Sequence, residues 1–183
     1  HAQTISPPVI PIAIPSMERK TWLETLGTIF QENPCNWDKH FHKLISKASS
    51  RMYIIRVCKF YGLSREQLDL LFDSLIMSVL TYGVELWGCA YFNKYLSQID
   101  KLVGRARKYG YTSKRYSIKD IIRSRAKKLW DKVTSEANNP LHELLPNRLE
   151  RSLRPRGHNY ELPLIRTERF KSSCVNRCLF NFI

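Results

Sequence analysis

The chain has 183 residues, 43% of them hydrophobic, which suffices for one domain, or one domain with a looser tail, and excludes a disordered chain. Lys and Arg number 30 against 16 Asp and Glu, and 20 of the cations against 7 of the acids lie after residue 100, so the excess points to a polyanion, with nucleic acid ahead of a membrane surface. Apolar runs are broken by Asp, Ser, Lys or Arg short of the roughly 20 residues of a membrane-spanning helix. The odd count of 5 cysteines, mostly in helical or apolar contexts, reads as reduced thiols of an intracellular protein, and the start at His1 without a basic leader reads as a piece of a longer protein.

Residues 1–16 carry Pro7, Pro8, Pro11 and Pro15 among Val9, Ile10, Ile12 and Ile14, a density that fits an edge strand or an extended linker. Thr21 to Phe30 reads as a short strand pair or one bent strand, with Gly27 at the bend and Trp22, Leu26 and Ile29 as apolar anchors. Residues 1–35 thus form an extended and β segment. A helical bundle follows over 36–110. Its first helix, from Asn36 or Asp38, turns Phe41, Leu44, Ile45, Ala48, Met52 and Ile55 inward and ends at Gly62 as a left-handed cap. Ser64 and Gln67 make a capping box for the central helix, where Leu68, Leu71, Phe72, Leu75, Ile76, Val79 and Leu80 recur at helical spacing and Leu70 and Met77 widen the face. A turn this short makes the two helices antiparallel neighbours. Val84 to Tyr91, with Trp87 and Gly88, is an apolar passage expected to be buried, and a third helix from Asn93 buries Tyr95, Ile99, Leu102, Val103 and Ala106 before Gly110 caps it.

Residues 111–183 form a basic helical and loop region. Ser117 and Asp120 start a helix to about Glu136, with Ile118, Ile121, Ile122, Leu129 and Val133 on its apolar side, and Asn139-Pro140 breaks it. Arg148 to Phe170 has no periodicity and reads as an ordered loop or hairpin, while Ser172 to Ile183 is apolar enough to dock back. The fold class is therefore mainly α, a helical bundle with a short β element near the N-terminus and an irregular basic C-terminal segment.

The chain has no Gly-rich phosphate loop, no Ser elbow, no adjacent aspartate pair after a strand and no His-rich metal motif, so no catalytic residue and no metal ligand is expected in it. Asp69 and Asp73 share a helix face and read as solvated carboxylates, since two helical side chains supply too few oxygens for a hard cation. His40 and His42 point different ways from one helix, and Cys174 and Cys178 read as structural rather than as half of a zinc site. The stronger signal is basic. Lys39, Lys43, Lys47 and Arg51 step by four along the first helix, Lys101, Arg105 and Lys108 follow on the third, and Lys119, Arg123 and Lys127 on the fourth. Arg115 lies in the turn at Tyr111 to Tyr116, and Arg148, Arg151, Arg154 and Arg156 sit in the late loop. Any one stripe is explained by a solvated helix face; several together, with few acids between them, point to a nucleic-acid surface whose contacts go to phosphates. The residues expected to make them are Lys43, Lys47, Arg51, Lys101, Arg105, Lys108, Arg115, Lys119, Arg123, Lys127, Arg154 and Arg156. Tyr111, Tyr116, His158 and Tyr160 are expected to pack rather than to stack on bases.

The run Leu26-Gly27-Thr28-Ile29-Phe30, then Asn36-Trp37-Asp38-Lys39-His40-Phe41 and Ser46 to Arg56, resembles the segment after the catalytic palm in reverse transcriptases of non-LTR (LINE-type) retrotransposons. Ser78 to Trp87 with the Trp87-Gly88 ending is similar to the next helix of their thumb, and the likeness continues through Arg105-Ala106, Leu144-Leu145-Pro146, Leu162-Pro163 and Arg166 to Ser172. The resemblance implies the thumb and post-thumb part of an RNA-directed DNA polymerase that holds an RNA/DNA or similar duplex, works beside a palm domain of the same polyprotein and has no membrane partner. The catalytic aspartates and the divalent metal would belong to that palm, so no cofactor is expected here. A freestanding basic helical module for nucleic acid and a non-catalytic helical interaction protein are the alternatives.

Overall fold

Leu26 and Gly27, with φ of 50° and 77°, make a two-residue turn between β1 (Trp22–Thr25) and β2 (Thr28–Gln31), which pair antiparallel with Thr25 opposite Thr28. The computed structural model describes residues 20–32, 36–88, 93–136, 138–148, 160–166, 168–171 and 174–182. A positive φ is costly for leucine; here the Tyr82 hydroxyl donates to the Leu26 carbonyl at 2.7 Å and holds the turn. Of the expected hairpin anchors Ile29 is buried, while Trp22 and Leu26 are not. Leu26 is 85% exposed and Trp22 is exposed too, while Thr28 and Ile29 are buried, because only the start of β2 lies against a helix.

That helix is α1 (Asp38–Phe60), which buries Phe41, Leu44, Ala48 and Ile55 at the expected spacing, with Ile45 and Met52 packed at the edge of the core. It ends before Gly62, whose φ of 83° suits the left-handed cap. Ser64 then caps α2 (Arg65–Phe72): its hydroxyl accepts from the Gln67 N–H while the Gln67 side chain accepts from the Ser64 N–H, the reciprocal box read from the sequence. The helix continues through a π turn at Asp73–Met77 into α3 (Ser78–Leu80). Leu68, Phe72, Ile76, Met77, Val79 and Leu80 are buried. Leu70 is 69% exposed and does not widen the apolar face, since it lies two residues from Leu68 and Phe72, on the far side of the turn. The chain runs back along α1: Arg51 Nη1 donates to the Leu75 carbonyl at 3.0 Å, and Ser78 and Val79 lie beside Leu44 and Lys47.

After a turn at Gly83, α4 (Val84–Trp87) drops Val84 and Trp87 into the core, and the Trp87 indole N–H donates to the Tyr82 carbonyl at 2.8 Å. Cys89 to Tyr91 lie outside the described residues, and of the passage expected to be buried Leu86 is exposed. α5 (Asn93–Lys108) supplies Tyr95, whose ring stacks on Phe41 at 4.2 Å between centroids, while Trp87 meets Phe41 edge-on at 5.0 Å. Gly110, at φ 68°, ends α5 as expected. α6 (Ile118–Ser135) starts at Ser117, whose hydroxyl accepts from the Asp120 N–H, and sends Ile118 and Ile122 into this same core. Its later residues Ala126 and Trp130 form a second cluster with Cys178 and Leu179 of α8 (Cys174–Phe182), so the C-terminal segment does dock back. Between them lie a 3₁₀ turn at Pro140–Leu144, a bridge between Arg148 and Tyr160, and the short α7 (Glu168–Lys171). The architecture is mainly helical with one two-stranded antiparallel sheet near the N-terminus.

Candidate nucleic-acid interface

The basic residues divide by what their side chains already do. On α1, Lys39 lies over the Trp22 ring at 5.0 Å and Lys43 is bonded to Glu24 of β1, so both serve the hairpin. Arg51 is half-buried and holds Leu75. Lys47 alone of that stripe is exposed and without an ion pair or hydrogen bond among the described residues.

On α5 and α6 the stripes are open. Lys101, Arg105 and Lys108 are exposed, as are Lys119, Arg123 and Lys127, and among the described residues no carboxylate lies within ion-pair distance of any of them. Four residues on a helix advance about 6 Å, so the cations of α6 stand at regular intervals on a rod of 18 residues anchored by Ile118, Ile122, Ala126, Trp130 and Val133 beneath. Arg115 is exposed in the turn that leads into α6. Arg154 and Arg156, with Arg151 and His158, lie outside the described residues.

That turn is fixed from below by the two aspartates: Asp69 is buried rather than solvated, and Asp73 is partly exposed but bonded to the turn. Asp69 is 8% exposed and accepts from the Thr112 hydroxyl and the Ser113 N–H, both at 2.7 Å, and from the Ser113 hydroxyl. The Ser113 and Thr112 hydroxyls hold its pKa down at about 2. Asp73 accepts from the Tyr116 hydroxyl and the Lys114 ammonium, and Tyr116 stacks on Phe72 at 5.6 Å. Burial, then the bond to Asp73, pushes the Tyr116 phenol well above its ordinary pKa, so it stays a neutral donor. The carboxylates of α2 and the π turn thereby position Arg115 and the first turn of α6. Tyr111 packs at the edge of the core and Tyr160 meets the Trp130 ring at 6.2 Å, so these tyrosines pack as expected.

Two arginines outside the stripes also have structural partners. Arg125 of α6 donates to the Thr81 carbonyl at 3.1 Å and to its hydroxyl at 3.2 Å, and reaches the Glu85 carboxylate at 3.8 Å, tying α6 to the turn before α4. Arg177 of α8 is buried at 7% exposure. The one sequence signal for it is that no other charge occurs between Cys174 and Phe182.

Beside the hairpin, a groove of about 490 Å³ is lined by Glu24, Leu26, His40, Lys43, Lys47 and Tyr82, among others. His40 is buried and its Nδ1 accepts from the Ile29 N–H at 3.3 Å, which ties the hairpin to α1; His42 is exposed on the other side. Among the described residues no three His, Cys, Asp or Glu side chains gather as a metal site, and no helix is long and apolar enough to cross a membrane. Comparison with protein-family models, curated proteins and solved structures gave no match.

Proposed function

We propose that the chain is the thumb and post-thumb region of an RNA-directed DNA polymerase of the non-LTR retrotransposon type, gripping the template–primer duplex through its backbone phosphates. The observation that carries this reading is the α6 row of Lys119, Arg123 and Lys127, exposed and without ion pairs on a helix whose other side is locked into two clusters. Cations with no protein partner on a rigid rod favour phosphate contacts and carry no base preference. Lys101, Arg105, Lys108, Arg115 and Lys47 add to the same kind of surface. The residue order that resembles the family supports the polymerase assignment. The hairpin supports it too, because Trp22, Leu23, Leu26 and Phe30 are exposed, as suits a β element with a neighbouring palm domain. Catalytic aspartates and their divalent metal would reside in that palm.

The test is fluorescence anisotropy of the chain with a labelled RNA/DNA hybrid, an RNA duplex and a single strand over a range of salt. Hybrid binding should weaken steeply with salt, and replacing Lys119 and Lys127 together by Ala should reduce the slope of log K against log salt by about 2, one for each lost phosphate contact. A folded sample that binds no duplex at low salt overturns the reading.

A further inference from the structure

We propose that the joint between α6 and α8 is a phosphate-binding site in which Arg177, Arg123 and Asn181 hold a phosphoryl group. Arg177 is the starting point. Its side chain is enclosed by α8 and by the elements α8 docks against, and among the described residues its Nη2 reaches the Glu85 carbonyl, at 3.4 Å. Its Nε and Nη1 are buried and have no hydrogen-bond acceptor among the described residues. The carboxylate of that same Glu85 is turned to Arg125 instead. A guanidinium does not lose its proton, and a buried charge without a partner is strongly unfavourable unless an anion neutralises it.

The neighbouring space suits such an anion. A cavity of about 250 Å³ is lined by Ile122, Arg123 and Ala126 of α6 and by Arg177, Asn181 and Phe182 of α8. Its polar lining residues are Arg123, Arg177 and Asn181, and among the described residues no acid lines it. Forked guanidinium donors match the non-bridging oxygens of a phosphoryl group, which a phosphodiester and a phosphate monoester both present. The cavity volume is several times the space one water takes, so a phosphoryl group fits with part of its hydration. Arg123 also belongs to the exposed row on α6, which places the cavity mouth beside the surface proposed for duplex binding. The phosphoryl group is therefore either one of a nucleic-acid backbone or that of a free phosphate compound; the anion site itself does not depend on the polymerase reading.

The experiment uses the full chain and inorganic phosphate as the probe. Thermal unfolding is followed while phosphate replaces chloride at constant ionic strength. For the wild type the midpoint should rise with phosphate concentration. Arg177→Met, which exchanges the cation for a shorter, flexible apolar chain, should remove the response, and it should melt no lower than wild type without phosphate, because the unpaired charge is gone. Arg123→Gln, at an exposed position, should weaken the response about tenfold, the value of one charge-assisted contact. A midpoint that phosphate does not move, or that moves equally in wild type and Arg177→Met, overturns the site. Anisotropy with the RNA/DNA hybrid separates the sources: phosphate competition and weaker hybrid binding by Arg177→Met assign the group to a nucleic-acid backbone, and unchanged hybrid binding beside an intact phosphate response assigns it to a free phosphate compound.

Discussion

His40 has the Trp37, Phe41 and Trp87 rings around it and the Ile29 N–H on its Nδ1, and burial, followed by the charge of Lys43, lowers its pKa to about 4 from an ordinary 6.5. The unfolded chain then binds a proton that the folded chain refuses, so stability is complete above pH 6.5 and falls as the pH drops toward 4. In His40→Asn the urea midpoint should lose that part of its pH dependence, which titration of both proteins between pH 7 and 4 checks. Asp69 acts in the next window down. Its pKa is depressed to about 2 from 3.8 by hydrogen bonds, so the stability it provides is present above pH 3.8 and is lost as the pH falls toward 2. Asp69→Asn should cost about 2–3 kcal/mol at pH 7 by urea denaturation, with the difference from wild type closing below pH 3.8. Neither role was legible in the sequence. Asp69 is bonded to Thr112, 43 residues away, and no local pattern around Asp69 says that a hydroxyl will arrive there.

At the level of elements, periodicity and capping chemistry were readable because they are local. Ser64, Ser117, Gly62 and Gly110 all act at their own helix ends, and α5 buries the spacing expected of it. In the helix from α2 to α3 Leu71 and Leu75 are only half-buried, and α6 buries Ala126 and Trp130 while Ile121 and Leu129 stay half-buried. Leu26 and Trp22 misled because apolar character in a two-residue turn or an outer strand does not by itself supply a surface to pack on. Contacts between elements are less visible still, and Gly88 is one. A Cβ placed there would stand 2.3 Å from the Val84 carbonyl oxygen and 3.0 Å from Ile122 Cγ2, so glycine lets the end of α4 lie against α6. Gly88→Ala should destabilise by about 1–3 kcal/mol through overpacking, read from chemical denaturation. Gly104→Ala, where nothing lies within 4 Å of the added carbon, is its control and should be neutral or stabilising.

Across the whole molecule, α6 is the shared member: Ile118 and Ile122 belong to the core of α1 to α5, while Ala126 and Trp130 belong to the cluster closed by α8. The basic row was legible because its four-residue step belongs to α6 alone. The burial of Arg177 was not, since it depends on where α8 lands. Leu179 is fully buried in the second cluster, and Leu179→Ala should cost about 3 kcal/mol. Hydrogen exchange should report the loss first in residues 126–135 and 174–182 and last at Phe41 and Trp87, if the two clusters open separately.

The π turn at Asp73–Met77 has one more consequence, for chain length. Such a turn is an α-helix with one residue too many, accommodated by bonds reaching five residues back instead of four. The exposed Ser74 is therefore a place where a shorter relative could omit a residue: its deletion should let α2 run straight into α3 as regular helix, with Phe72 and Ile76 left at another helical spacing. Circular dichroism and melting should find that variant folded, whereas deleting Ser50 from the uninterrupted α1 would rotate Ile55 and everything after it out of register and should leave the chain unfolded.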